Sequence, residues 1–194
     1  MATRVLPTPE VLRQLLRYEP ETGKLFWLER SSEFFGCPRI HRSWNGQHAG
    51  KEALANDNGA GYPCGRIFDR PYLAHRVIWA IVTGSWPVDQ IDHINNVRDD
   101  NRMENLRQAT NAQNQFNQEK QSNNTSGFKG VYLDSRRAKW FAAARCNGRN
   151  IHLGYFSDAA SASVAYEAYA KSAHGVFVRL SGAGSNEKSH PISC

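Results

Sequence analysis

The fold of this chain is decided by residues 90–114, which read QIDHINNVRDDNRMENLRQATNAQN. Residues 90–93 are predicted to form a short extended segment that enters an Asp- and Asn-rich loop. A second short strand around residues 105–108 would close this loop. The sequence Thr-Asn-Ala-Gln at 110–113 matches a helix capping box, so a helix should begin at Asn111. The stretch therefore predicts the order strand, loop, strand, helix.

Upstream of this stretch, residues 72–82 are predicted to form a buried helix. Their apolar side chains recur at three- and four-residue spacing, and Gly84 stands where a helix C-cap would fall. Nearer the N-terminus, a turn cluster at 18–23 precedes an aromatic-rich segment at 24–29, which is predicted to be a strand of a hairpin. Small β elements are expected from there to Phe68.

The second half of the chain follows a polar stretch. Ten of the seventeen residues from 108 to 124 are Asn or Gln, a composition that buries little apolar area and is typical of a polar helix running into a linker. Beyond it, three short strands and one Ala-rich helix are predicted at residues 129–133, 139–146, 150–156 and 158–173. The predicted domains are a first module at 1–122 with its core motif at about 72–117, a second module at 123–180, and a flexible tail at 181–194.

Composition narrows the class of protein. The 194 residues include 24 Lys and Arg against 18 Asp and Glu, and a net charge of +6 should attract polyanions, nucleic acid first among them. The four cysteines are scattered without a Cys-x-x-Cys pair, which favours a reduced, cytoplasmic protein over a disulfide-rich secreted one. Residues 1–9 contain no apolar run typical of a secretory signal. We therefore expect a soluble cytoplasmic protein that does not enter a membrane.

Three groups of residues carry a resemblance to a known family: Asp92-His93, the block Asp-Asn-Arg-Met-Glu-Asn-Leu-Arg at 100–107, and Gln113-Asn114. Together they resemble the HNH endonuclease family, over about residues 18–117. The resemblance implies a strand, loop, strand, helix frame called ββα-metal, and metal-dependent hydrolysis of phosphodiester bonds. The roles that it implies are a general base for His93, orientation of that base for Asn105, and metal binding for Asp92 and Asn114.

The chemistry explains these residue types. Hydrolysis of a phosphodiester needs a water deprotonated near neutral pH, and histidine, with a usual pKa of about 6.5, suits that task. A divalent cation stabilises the charge that builds on the phosphoryl and leaving oxygens. Many family members end the motif with His, whereas Asp92 and Asn114 offer only oxygen ligands, so Mg²⁺ is expected and Mn²⁺ tolerated. A zinc site is disfavoured because no Cys/His tetrad has ligand spacing.

Two local expectations concern the histidines. Adjacent residues of a regular strand point to opposite faces, so the strand must bend or end at Asp92-His93 if both residues are to serve one site. His75 lies within the predicted apolar helix. We interpret His75-Arg76 as packing and positioning residues, with contact to phosphate as the alternative.

Four segments of the second half resemble the AP2 DNA-binding domain, at residues 126–132, 139–145, 152–156 and 159–166. The resemblance implies three antiparallel strands that lie in the DNA major groove and one helix packed behind them. The alternation of the middle strand agrees, because it places Trp140 and two alanines on one face and the basic residues on the other. The residues expected to contact DNA are Lys129, Tyr132, Arg136, Arg137, Lys139, Arg145, Arg149, Asn150 and His152.

We therefore predict an α+β protein, with an N-terminal ββα-metal (HNH) nuclease module followed by a small three-stranded antiparallel sheet plus one helix (AP2-like). Its function would be metal-dependent nicking or double-strand cleavage of double-stranded DNA that the second module grips. The pairing is similar to homing-type endonucleases encoded by phages or prophages in bacterial hosts. Two alternatives stay open: a non-catalytic AP2-type DNA-binding or transcriptional factor, and an enzyme that cleaves RNA.

Overall fold

A computed structural model describes residues 6–117, 124–146 and 149–174 of the chain. The chain groups into two compact units, Met1–Thr110 and Asn111–Cys194, and both combine helices with small antiparallel sheets, which confirms the α+β class. The predicted module boundary at 122/123 and the predicted tail at 181–194 lie outside the described residues and stay predictions. No helix within the described ranges is long and apolar enough to cross a membrane.

The first unit alternates short helices and short strands. In chain order its elements are α1 (Pro9–Leu15), β1 (Leu16–Glu19), β2 (Lys24–Trp27), α2 (Pro38–His48), β3 (Glu52–Ala53), β4 (Asn56–Asp57), β5 (Pro63–Ile67), β6 (Arg70–Leu73), α3 (Ala74–Thr83), β7 (Gln90–His93) and β8 (Leu106–Ala109). The strands pair antiparallel in the orders β1-β2-β3, β4-β5-β6 and β7-β8.

Most of the predicted elements of this unit are confirmed. The predicted hairpin is β1 and β2, the predicted strand at 90–93 is β7, and the second strand of the motif is β8, one residue later than expected. The predicted buried helix is α3, which starts at Ala74 because residues 70–73 pair with β5. The sequence predicts neither α1 nor α2. In α2 no residue is buried, so no apolar stripe marks it as a helix.

The core of the first unit forms where α1 and α3 pack together. Leu12 of α1 and Val77 and Ile78 of α3 are completely buried. Gly84 ends α3 in the left-handed conformation, with φ +76°, as the predicted C-cap requires. Ile91 of β7 joins the same core and ties that strand to the helix.

The second unit contains α4 (Asn111–Asn117), β9 (Val131–Asp134), β10 (Lys139–Cys146), β11 (Arg149–Phe156) and α5 (Ala159–His174). The strands form one antiparallel sheet in the order β11-β10-β9. The predicted helix start at Asn111 and the predicted order of three strands and then one helix are confirmed.

One face of this sheet carries α5. Ala142 and Ala144 of β10 are buried in one cluster with Ala162 and Tyr166 of the helix, as the predicted alternation requires. Gly130 allows the closest approach, because a Cβ at this position would lie 2.2 Å from the Tyr166 ring. Small residues on both elements therefore set the distance between sheet and helix.

The other face of the sheet carries aromatic rings. Tyr132 stacks on Phe141 with ring centroids 5.3 Å apart, and His152 lies 4.8 Å from Tyr155. Simple alternation would place Tyr155 and His152 on opposite faces. A register shift in the β10–β11 pairing skips Leu153 and brings both to the same face. Tyr155 is therefore a residue of this face that the period-two pattern does not identify.

Candidate active site

Asp92 and His93 lie at the end of β7. Asp92 pairs with Arg107 of β8 and His93 pairs with Leu106, and both site residues are nearly completely buried, with 3% and 4% of their surface exposed. The strand ends at His93, where the backbone turns and Asn96 N–H donates to the His93 carbonyl at 2.9 Å. The sequence predicts that the strand must bend or end at Asp92-His93 if both residues are to serve one site, and the strand does end there.

Asp92 is held by an ion pair with its cross-strand neighbour. Arg107 Nε donates to Asp92 Oδ2 at 2.8 Å, and Arg107 Nη2 forms an ion pair with the same oxygen at 2.8 Å. The Asp92 side chain is 3% exposed and that of Arg107 is 16% exposed, so water reaches the pair from the arginine side only in part. The interaction fixes the carboxylate beside His93.

The ring of His93 is oriented by Asn101. His93 Nε2 lies 2.9 Å from Asn101 Oδ1, in a buried contact. An amide oxygen only accepts hydrogen bonds, so Nε2 carries the hydrogen and donates it, and Nδ1 carries the lone pair of the neutral ring. Burial lowers the pKa of His93, against the Asn101 hydrogen bond and the charge of Asp92, which both raise it. This tautomer leaves Nδ1 as the basic nitrogen.

Asn105, the predicted orienting residue, bonds the loop between the two strands. Its Nδ2 donates to Asn95 Oδ1 at 3.0 Å and to the Asp100 carbonyl at 2.8 Å, and its Oδ1 accepts from Asn95 N–H at 3.0 Å. Asn105 therefore closes the loop that carries Asn101 and has no direct hydrogen bond to His93. Its predicted role in orienting the base stays a prediction, exerted through the loop.

The N-terminal hairpin supports this loop from outside the motif. Met103 N–H donates to Tyr18 Oη at 2.9 Å, and the Tyr18 hydroxyl donates to the Asn101 carbonyl at 3.3 Å. Gly23, in the β1–β2 turn, packs directly on the backbone of Asn101 and Arg102. Sequence reasoning missed Asn101, Tyr18 and Gly23 as contributors to the site. Tyr18 and its partner Met103 are 85 residues apart in the sequence, so no local pattern indicates their contact. Only the turn that contains Gly23 has a local sequence signal.

Replacing Gly23 with alanine tests this support. A Cβ there would lie 2.6 Å from Arg102 N and 2.7 Å from Asn101 C, and backbone cannot move aside as a flexible side chain can. We expect Gly23→Ala to destabilise the first unit by about 2 kcal/mol more than Gly50→Ala, and to slow any His93-dependent reaction. Gly50 is the matched control because its φ is also positive, +77°, but nothing lies within 4 Å of its Cβ position. Equal unfolding temperatures for the two variants would contradict the contact.

A cluster of rings packs on His93. The His75 ring lies 5.2 Å from that of His93, and the Tyr62 ring lies 5.4 Å from His75 and 5.8 Å from His93. Arg98 lies over Tyr62 at 5.1 Å. Gly61, Pro63 and Arg98 are among the residues that line a groove of about 520 Å³. The rings restrict the movement of the His93 side chain.

His75 is a packing residue, as the sequence suggests, and it is buried with no hydrogen-bond partner for Nδ1. Its neighbour Arg76 positions the chain after α3 by donating to the carbonyls of Pro87 and Asp89. Burial, reinforced by the charges of His93 and Arg76, lowers the pKa of His75 to about 3.

This shift makes the stability of the first unit depend on pH. Between about pH 6.5 and pH 3 the unfolded chain protonates His75 while the folded unit keeps it neutral, so the free energy of unfolding falls as the pH falls. Above pH 6.5 the residue is neutral in both states and contributes no pH dependence. We expect His75→Phe to lack this pH dependence. Relative to the variant, the wild type should lose about 2 kcal/mol of unfolding free energy between pH 7.5 and pH 5. Denaturant unfolding at both pH values measures it, and a constant difference would contradict a neutral buried His75.

The donor chemistry of Asp92 fits a hard divalent cation. Carboxylate oxygen is a preferred ligand of Mg²⁺, which also keeps several of its own waters. Within the described residues, no three His, Cys, Asp or Glu side chains are grouped as a metal site. Asn114 lies on α4, which belongs to the second unit. Joint metal binding by Asp92 and Asn114 stays a prediction.

The residues predicted to contact DNA all belong to the second unit. Tyr132 and His152 lie on the aromatic face, joined through Phe141, which is 5.7 Å from His152. Arg136 and Arg137 lie in the β9–β10 turn, and Arg137 stacks over Tyr155 at 4.8 Å. The remaining predicted contacts are Lys129, which precedes β9 and is half-buried, and four exposed strand residues, Lys139, Arg145, Arg149 and Asn150. Their DNA contacts stay predictions.

One comparison with known proteins gave a match. Residues 72–116 match the family model described as HNH endonuclease. The chain therefore contains an HNH endonuclease domain over these residues, which include α3, β7, β8 and most of α4. No curated protein and no solved structure matches the chain.

Proposed function

We propose that this chain, with its HNH endonuclease domain at residues 72–116, is a divalent-metal-dependent endonuclease that hydrolyses phosphodiester bonds of double-stranded DNA. One observation carries the proposal. Within the matched segment, His93 is held by Asn101 in the tautomer that leaves Nδ1 basic, and the carboxylate of the preceding residue, Asp92, is anchored by Arg107. A neutral imidazole whose Nδ1 carries the lone pair can accept a proton from water, which is the task of a general base.

Each residue of the site has a distinct task in this reaction. His93 Nδ1 accepts the proton of the attacking water, while Asn101 keeps the ring from rotating. Arg107 keeps the Asp92 carboxylate in place, and Asn105 keeps the loop closed around Asn101. We assign metal binding to Asp92 and Asn114. When bound, a divalent cation, Mg²⁺ or Mn²⁺, supplies Lewis-acid stabilisation of the charge that develops on the phosphate.

The second unit would hold the DNA target. Its aromatic face and the basic residues around it combine apolar contact surface with positive charge, as DNA-binding surfaces do. Arg136 and Arg137 in the β9–β10 turn and Arg145 on β10 are suited to phosphate contacts. The resemblance to AP2 domains supports this assignment. Together with the HNH domain, this resemblance also supports the proposal of a homing-type enzyme of phage or prophage origin that acts in the bacterial cytoplasm.

Cleavage of supercoiled plasmid tests the proposal. We expect conversion to nicked or linear DNA in Mg²⁺ or Mn²⁺ and none in EDTA. A parallel reaction with labelled RNA duplex and single-stranded RNA tests the RNA-cleaving alternative. Salt-sensitive DNA binding without cleavage of a plasmid or of a library of random duplexes would instead support the non-catalytic DNA-binding factor.

A further inference from the structure

Helix α2 has two chemically different faces. His41, Trp44, Asn45 and His48 are half-buried and face the rest of the unit, where the Trp44 ring contacts Trp27 at 5.5 Å. The residues at the intervening positions of the helix are exposed. The helix therefore uses only one of its faces for packing.

The exposed side of α2 carries positive charge, and Ile40 is the large apolar residue on it, 56% exposed. Arg39 and Arg42, three residues apart, lie on it with Ser43 and Gly46, and all four are exposed. Nothing lies within 4 Å of the Cβ position of Gly46, so this part of the helix is open to a close approach. Among the described residues, neither guanidinium takes part in a hydrogen bond or ion pair. Residues 34–51 contain no Asp or Glu, so nothing within the segment neutralises these charges.

A further cation lies beneath the helix. Arg30 is 9% exposed, and its guanidinium lies 3.7 Å over the Trp44 ring and 4.8 Å over the Trp27 ring. No described carboxylate lies within ion-pair distance of it, and its Nε has no hydrogen-bond partner. The Arg30 guanidinium is therefore stabilised by cation–π contacts but not neutralised by a described carboxylate, so its charge adds to the positive potential of α2.

We propose that α2 is a second DNA-binding element, which docks on the phosphate backbone of duplex DNA through Arg39 and Arg42. The inference rests on the proposed function, since it concerns the same substrate. Duplex DNA presents a phosphate every ~3.4 Å of its axis on each strand, so two arginines one helical turn apart reach neighbouring phosphates. The uncompensated charge and the absence of acidic residues match this polyanion. The element belongs to the same unit as His93, and it holds the substrate to the catalytic unit independently of the second unit.

Salt-dependent binding of the full chain to fluorescent duplexes of several unrelated sequences tests the proposal. In Arg39→Gln/Arg42→Gln, we expect weaker binding to every sequence and a salt slope, the slope of log K against log[salt], that is lower by about two. Arg66→Gln/Arg70→Gln is the matched control. It removes the same charge from exposed arginines of the same unit, at the β5–β6 hairpin, and should leave the slope nearly unchanged. Gln is a good helix former, and circular dichroism of both variants checks the fold.

The outcomes separate this inference from the proposed function. An unchanged slope in Arg39→Gln/Arg42→Gln, with wild-type binding and cleavage intact, overturns the role of α2 alone. Equal losses in both double variants show an effect of net charge and also overturn it. A wild-type chain that binds no duplex DNA overturns the proposed function, and this inference with it.

Discussion

Replacing His93 with alanine is expected to slow DNA cleavage by about 10²- to 10⁴-fold while leaving the affinity for duplex DNA unchanged, because only base catalysis is lost. His93 is the residue of the matched segment whose ring is oriented by a buried hydrogen bond, from Nε2 to Asn101 Oδ1. The remaining catalysis would come from metal and substrate positioning. Initial rates of plasmid nicking in Mg²⁺, together with duplex affinity measured in EDTA, give the two quantities.

A second variant separates loss of the base from loss of packing. In His93→Gln the side chain keeps an N–H that can donate to Asn101, but it has no basic nitrogen. We expect it to cleave as slowly as His93→Ala and to unfold closer to the wild-type temperature. Wild-type cleavage by His93→Gln would remove His93 from the role of base.

Breaking the Asp92–Arg107 pair is expected to cause a large loss of stability in the first unit. Arg107→Met leaves a carboxylate that is 3% exposed without its cation, and we expect a loss of about 3 kcal/mol in the free energy of unfolding. Asp92→Asn should cost less, because the partly exposed Arg107 can turn toward water. The double variant should cost less than the sum of the two, since neither partner is then left alone.

The measurement must follow the first unit alone. Of the five tryptophans, only Trp140 lies in the second unit, so a Trp140→Phe background makes tryptophan fluorescence report the first unit during denaturant unfolding. The matched control is Lys24→Met. It breaks the ion pair between Lys24 and Glu52, whose side chains are 50% and 39% exposed, and should cost under about 1 kcal/mol. Losses of similar size in Arg107→Met and Lys24→Met would show that burial of the Asp92 pair contributes nothing.

Elements with a regular local pattern were predictable from the sequence. The apolar spacing of α3 and the glycine after it predicted that helix, and alternation predicted which residues of β10 face α5. Helix α1 begins at Pro9 and is capped by Thr8, whose hydroxyl accepts from Val11 N–H, so the sequence does contain a local start signal for this helix. Helix α2 was not predictable because it has no apolar stripe. Aromatic and hydrogen-bond contacts of half-buried side chains hold it in place instead.

The sequence by itself determined the strand, loop, strand, helix order and the placement of Asp92 and His93 at the end of a strand. These features depend on residue types and spacings within about 25 positions, which a local pattern records. The tertiary structure alone decided that Asn101 holds the His93 ring and that the hairpin of Tyr18 and Gly23 supports the loop. Those contacts depend on how the loop closes and on pairs of residues 78 to 85 positions apart, which no local periodicity encodes.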